Sequence, residues 1–264
     1  MMAYFSNTDH IALSGPQAFE RGSQISPENA HNKMLNLHRA LNERIRGNDW
    51  DLHPHAKKSS IVTYGSATTH ASHADVLSLS YFRSNNHTQL VEGMMGIDTV
   101  NCDTSGEPYR HPVIEVRLAP DYFAVELVLS PFAWWDQQNF IGKMELDSHR
   151  HTLRRLIGNL SNDYRFGFWE GTHLSDMHLT SWELSHGKVM QEWMNTFADG
   201  QDWLRFGVWY EPESPELSIQ NIVQEVTYRI GDLYNLYDFM LWTSNNNFMA
   251  FYEKRQKTQR RALA

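Results

Sequence analysis

The chain has 264 residues, of which 41% are hydrophobic and 20% charged, with a formal net charge of −8. That length lies near the upper end of what one hydrophobic core supports, and the composition is that of an ordinary folded globule. The charge argues against a protein that grips duplex nucleic acid through general basicity, because phosphate binding needs clustered Lys and Arg.

Cys102 is the only cysteine, so an intrachain disulfide is excluded and a reducing compartment fits. It lies in the polar stretch Asn101-Cys102-Asp103-Thr104-Ser105-Gly106, whose acidic Asp103 does not favour a thiolate, which argues against a nucleophilic role. The apolar runs are far shorter than the ~20 residues of a membrane span, and the N-terminus lacks the pattern of a signal peptide. These features point to a cytoplasmic protein with no membrane partner.

Residues 1–25 are Gly/Ser-rich and read as an N-terminal arm. Ser26-Pro27-Glu28 then starts a helix, with Met34, Leu37, Leu41 and Ile45 at helical spacing and Gly47 at its close. Asp75 to Arg83 alternates, which predicts a half-buried strand with Leu77, Leu79 and Tyr81 inward and Ser78 and Ser80 outward. A short helix and a Gly/Asp/Ser/Pro loop occupy 84–112.

A hairpin follows, pairing Val113–Leu118 with Phe123–Leu129 across Ala119-Pro120-Asp121-Tyr122. With Pro120 and Asp121 as the turn residues, Glu115 faces Glu126, and Arg117 is diagonal to Glu126 on a solvated face. The aromatic, amide-rich segment Trp134–Phe140 comes next, as a lining for that face, an interface, or the cap of a core edge. Asp147 caps a helix carrying Leu153, Leu156, Ile157 and Leu160, and a strand spans 164–170. Thr180-Ser181-Trp182-Glu183 has capping-box spacing and opens a helix that runs through Phe197 to Gly200. A strand at 203–210 and a long helix over 216–242 complete the domain, which spans 26–250. The basic run Lys254–Arg261 lies in a tail, 251–264. The expected fold is α+β, with one mostly antiparallel sheet and helices largely on one face.

Arg165-Phe166-Gly167-Phe168-Trp169 recurs 40 residues later as Arg205-Phe206-Gly207-Val208-Trp209. In a strand, Arg, Gly and Trp share one face and the apolar residues the other. If the two strands are neighbours, the glycines floor a shallow cleft between Arg and Trp walls, with Arg117 close by. Such a cleft suits a planar anion such as a nucleotide, since Arg forks onto phosphate or carboxylate and Trp stacks on a ring. The bland alternative is that Gly admits a packed helix, Trp fills space, and the arginines pair with Glu115 and Glu126.

Glu115 and Glu126 are candidates for acid/base chemistry or for holding a divalent metal. Among fourteen histidines, His70 and His73 share a face in a helical turn with Asp75 nearby, which makes these three the metal candidates. The chain has no His-Glu-x-x-His motif, no phosphate-binding glycine loop, no Gly-x-Ser-x-Gly elbow and no dinucleotide fingerprint.

The stretch from His111-Pro112-Val113-Ile114-Glu115 through Phe123-Ala124-Val125-Glu126-Leu127, with the later Trp-rich helix–strand units, resembles bacterial α+β proteins without an assigned activity. Some of these are accessory domains beside restriction-type nucleases. The resemblance implies an α+β fold, a bacterial source and a place in a nucleic-acid-processing or defence system. It carries no catalytic residue.

Three readings follow. The first is a binding or accessory module with an Arg/Trp cleft for a nucleotide-like or other planar anion. The second is a metal-dependent hydrolase or nuclease using the paired Glu and His. The third is a structural subunit, in a homo-oligomer or on a protein partner.

Overall fold

The structure is a computed structural model, described for residues 2–14, 26–56, 60–66, 75–97, 106–170 and 178–248. In chain order its elements are α1 (Asn7–Ile11), α2 (Glu28–Gly47), β1 (His53–Pro54), β2 (Thr63–Tyr64), β3 (Leu77–Phe82), α3 (Asn85–Met94), β4 (Val113–Leu118) and β5 (Phe123–Leu129). There follow α4 (Trp134–Met144), α5 (Asp147–Gly158), β6 (Arg165–Gly167), β7 (His178–Thr180), α6 (Ser181–Ser185), α7 (Val189–Thr196), β8 (Leu204–Tyr210) and α8 (Ile222–Met240). This is the expected α+β fold. Among the described residues, no helix is long and apolar enough to cross a membrane.

One antiparallel sheet runs in the order β1-β3-β4-β5-β8-β6-β7, with β2 also pairing with β3. The last strand in sequence, β8, enters between β5 and β6, so the sheet closes only when residues near 207 meet residues near 126. Leu79, Ile114, Val116, Val125, Leu127, Phe206 and Val208 point to one face and are buried. α2 and α8 contact the strands there: α2 packs on β3, and α8 on β4, β5 and β8. Phe166 and Phe206 sit directly opposite each other, with ring centroids 4.8 Å apart in an edge-to-face pair.

Several boundaries differ from expectation. β3 is not half-buried: all six of its residues are buried, Ser78 and Ser80 included. Trp134–Met144 is a helix, and its buried side chains include Asp136, Gln137, Asn139 and Lys143, so no apolar stripe announced it. The capping box at Thr180 and Glu183 is present, with Thr180 Oγ1 accepting from Glu183 N–H. The helix it opens stops at Ser185, because Gly187 takes φ 58° before α7 begins. The final helix starts at Ile222, after a 3-10 turn at Pro215–Leu217, and Ile219 is exposed, outside the core.

Two buried histidines tie helices to the sheet. His10 Nδ1 lies 2.6 Å from the Ala119 carbonyl at the hairpin turn, and His38 Nδ1 lies 2.9 Å from the Tyr81 hydroxyl. Burial lowers both pKa values; at His10 the Ala119 contact opposes that shift, and at His38 Arg39 adds to it. The unfolded chain therefore takes up these protons at a higher pH than the fold does. Stability from these two groups is whole above roughly pH 6.5 and falls as pH drops below it. Thermal melts between about pH 7 and about pH 5 should show Tm falling with acid, and His38→Gln should flatten part of that slope. A Tm that rises toward pH 5 would contradict this assignment.

Candidate functional site

The second face of the sheet is also buried, and it is charged. Its side chains fall into three cross-strand rows fixed by the register. The middle row is Ser80, Glu115, Glu126, Gly207 and Arg165. On one side lie Ser78, Arg117, Ala124 and Trp209. On the other lie Val113, Val128, Arg205 and Gly167. Two carboxylates thus stand side by side in the middle row, and each flanking row supplies one arginine.

Glu126 is the hub. Its Oε2 accepts from Arg117 Nη2 and from Arg205 Nη2, the latter at 3.0 Å, and its Oε1 accepts from Trp209 Nε1 at 3.1 Å. Glu115 accepts from Ser66 Oγ at 2.7 Å and Ser80 Oγ at 3.4 Å, with Arg117 Nη1 3.9 Å away. Glu115, Arg117, Glu126 and Arg205 have no exposed surface. The hairpin face expected to be solvated is therefore closed. A like-charge pair is tolerable there because two guanidinium groups balance it.

The two arginines differ. Burial alone would lower the pKa of Arg117, but Glu126, then Tyr122 and Glu115, outweigh it and hold its pKa above the ordinary value. At Arg205 burial prevails over Glu126, with Arg117 adding repulsion, so its pKa is lowered. Each guanidinium is laid against rings. Arg117 sits 5.3 Å from the Trp209 centroid and 5.7 Å from Tyr122, and Arg205 sits 5.7 Å from Trp169. Tyr122 and Trp209 pack together at 4.2 Å.

The repeat is antiparallel to itself. Arg165 faces Gly207 and Gly167 faces Arg205, so each arginine lies opposite the other copy's glycine. Gly207 is required by close approach: a Cβ there would lie 2.4 Å from Glu126 Cγ and 2.9 Å from the Val125 carbonyl. The space above this glycine holds the Glu126 side chain. Arg165 remains half-buried, with Nη1 donating to the carbonyls of Asn162 and Tyr164. Trp169 falls beyond the end of β6 but still reaches Arg205, and its buried Nε1 has no hydrogen-bond partner among the described residues. Arg117 Nε is in the same condition.

Sequence reasoning did not find Ser66, Ser80 and Tyr122 as members of this cluster. The visible signal was the Ser-x-Ser alternation of β3, since small hydroxyl side chains beside a Glu/Arg row leave room for long neighbours and cap their charges. It also missed a second buried ionic group beyond the strand ends. Arg83 and Asp136 pair at 2.5 Å, Asp136 Oδ1 also accepts from Trp242 N–H, and His111 Nε2 lies 3.6 Å from Glu92. Burial lowers the His111 pKa despite the Glu92 contact.

Among the described residues, no group of three His, Cys, Asp or Glu side chains could hold a metal ion. His70 and His73 lie outside the described residues, as do Cys102 and the basic tail; Asp75 is half-buried, and its Oδ1 has no hydrogen-bond partner among the described residues. Both Glu126 oxygens are committed to cationic or indole donors, so this carboxylate is poorly placed as a base or a metal ligand. No family model matches the chain, and no curated protein matches it.

Gly207→Ala should destabilise the protein by about 1–3 kcal/mol, because the backbone on one side cannot give way. Glu126→Ala should cost about 3–5 kcal/mol by stranding two buried guanidinium groups. Their effects should not add: without Glu126 the added methyl loses its worst clash, so the double variant should be more stable than the sum predicts. Urea titration of the four proteins measures this, and strict additivity would sever the proposed dependence of Gly207 on Glu126.

Proposed function

We propose that the protein is a binding module whose site is the arginine pair on Glu126, with Trp169, Trp209 and Tyr122 as its walls, and whose ligand is a planar anion of the nucleotide class. The observation that carries this reading is the pair of ring-backed guanidinium groups sharing one carboxylate oxygen, beside two buried N–H donors, Arg117 Nε and Trp169 Nε1, with no partner among the described residues. Buried donors are ordinarily satisfied, and an anion placed between these rings would satisfy them. With Arg165 on the same face, three arginines stand against two glutamates. Arg165 and Trp209, at the edge of the cluster, are its half-buried members.

Stability alone is a weak reason to keep such a cluster, since well-packed apolar residues commonly replace a buried ion group at no loss. The triple variant Arg117→Met, Glu126→Leu, Arg205→Met should therefore stay folded. A tryptophan-fluorescence titration with mononucleotides and short single-stranded DNA and RNA, at low and high salt, supplies the test. The native protein should show saturable quenching that weakens with salt; Trp169→Phe should weaken binding by about 1–3 kcal/mol, and the folded triple variant should not bind. No saturable response at either salt would overturn the proposal.

A further inference from the structure

A separate site lies where the start of α4 meets the segment after α8. Trp134, Trp135, Trp242 and Phe248 wall an open depression of about 370 Å³. The indoles are not a flat platform. Trp134 and Trp135 stand 5.5 Å apart at 58°, and Trp135 and Trp242 stand 6.1 Å apart at 75°. Rings turned this far cannot stack as one plane, so they bound the depression at different angles.

The charge of the lining has one sign. Among the described residues, Glu145 is the only charged side chain on the pocket wall; it is exposed and makes no side-chain hydrogen bond or ion pair with any of them. Arg150, on α5, is tied to the Met144 carbonyl and to Asp147. The amide groups nearby are committed to the protein itself: Gln138 Nε2 donates to Asp199, Asn139 Nδ2 to the carbonyls of Met240 and Asn246, and Asn139 Oδ1 accepts from Phe248 N–H. Trp135 Nε1, which has no partner among the described residues, is itself buried. A neutral sugar, which needs several outward-facing donors and acceptors, finds few here.

We propose that this box binds a quaternary ammonium group, held by the indole faces and steered by Glu145. A primary ammonium brings three N–H donors that need acceptors, and Glu145 is the one carboxylate on the described wall. A trimethylammonium head brings positive charge with no donor to satisfy, which is the form of cation that aromatic boxes take. The same head occurs on free choline-like molecules and on a trimethylated lysine of a peptide. The site is independent of the arginine cluster, and the two have opposite charge preference.

The test uses the full chain and intrinsic tryptophan fluorescence. The probes are tetramethylammonium chloride, choline, its neutral isostere 3,3-dimethylbutan-1-ol, and one short peptide carrying either lysine or trimethyllysine. Tetramethylammonium and choline should bind saturably while the neutral isostere does not. Trp134→Ala, at a position 46% exposed and so safe for the fold, should weaken choline binding about tenfold, and Glu145→Gln about threefold. Binding of the trimethyllysine peptide more tightly than choline would assign the head to a protein partner, and the reverse order to a small metabolite. Equal binding of choline and its neutral isostere would overturn the proposal, as would no saturation by any trimethylammonium probe. Mononucleotides should not compete with choline, which keeps this result separate from that of the arginine site.

Discussion

The centre of the molecule is a carboxylate that three strands share. Glu126 on β5 takes one donor from β4, through Arg117, and two from β8, through Arg205 and Trp209. A sheet with helices on one face ordinarily leaves its other face to water. Here the middle of that face is buried as well, and charged side chains share it with Val113, Ala124 and Val128. The surroundings of Glu126 answer the need to neutralise it: Ser66 and Ser80 attend its neighbour Glu115, the absent side chain at Gly207 makes room for it, and the rings of Tyr122, Trp169 and Trp209 shield its arginines.

The apolar half of the architecture was legible because hydrophobic periodicity reports it directly. The hairpin from Val113 to Leu129 and its register, with Glu115 opposite Glu126, follow from alternation and a Pro-Asp turn. The Arg-Phe-Gly-x-Trp repeat pointed to two related strands, which are neighbours in the sheet. What alternation cannot report is whether the polar side of a strand meets water. Ser78, Glu115 and Arg117 look the same in sequence on a wet face and on a buried one.

The same limit explains α4. Its buried side is held by Gln137, which donates to the carbonyls of Ser130 and Asp202 and accepts from Gly200 N–H, and by Asn139 and Lys143, which bond to the last turn of α8 and to Asn246 beyond it. A helix whose buried side mixes amides and an ammonium group with Phe140 and Met144 shows no continuous apolar stripe, so pattern reading finds a Trp-rich segment and no element. The indole box at its N-terminal end consequently lay in plain view as composition and was invisible as geometry.

The position of β8 in the sheet bears on how the chain reaches this structure. The β4–β5 hairpin closes over a short turn, but Arg205 meets Glu126 at a sequence separation of 79. Until β8 arrives, the hairpin carries two facing carboxylates with one arginine between them, a pairing that is tolerable only while wet. Drying that face before β8 docks would trap uncompensated charge, so desolvation and strand insertion are bound to a single late event. Long-range closure of that kind slows folding and makes it all-or-none. Amide protons of β4 and β5 should accordingly exchange with solvent only through global unfolding, whatever the looser segments around them do.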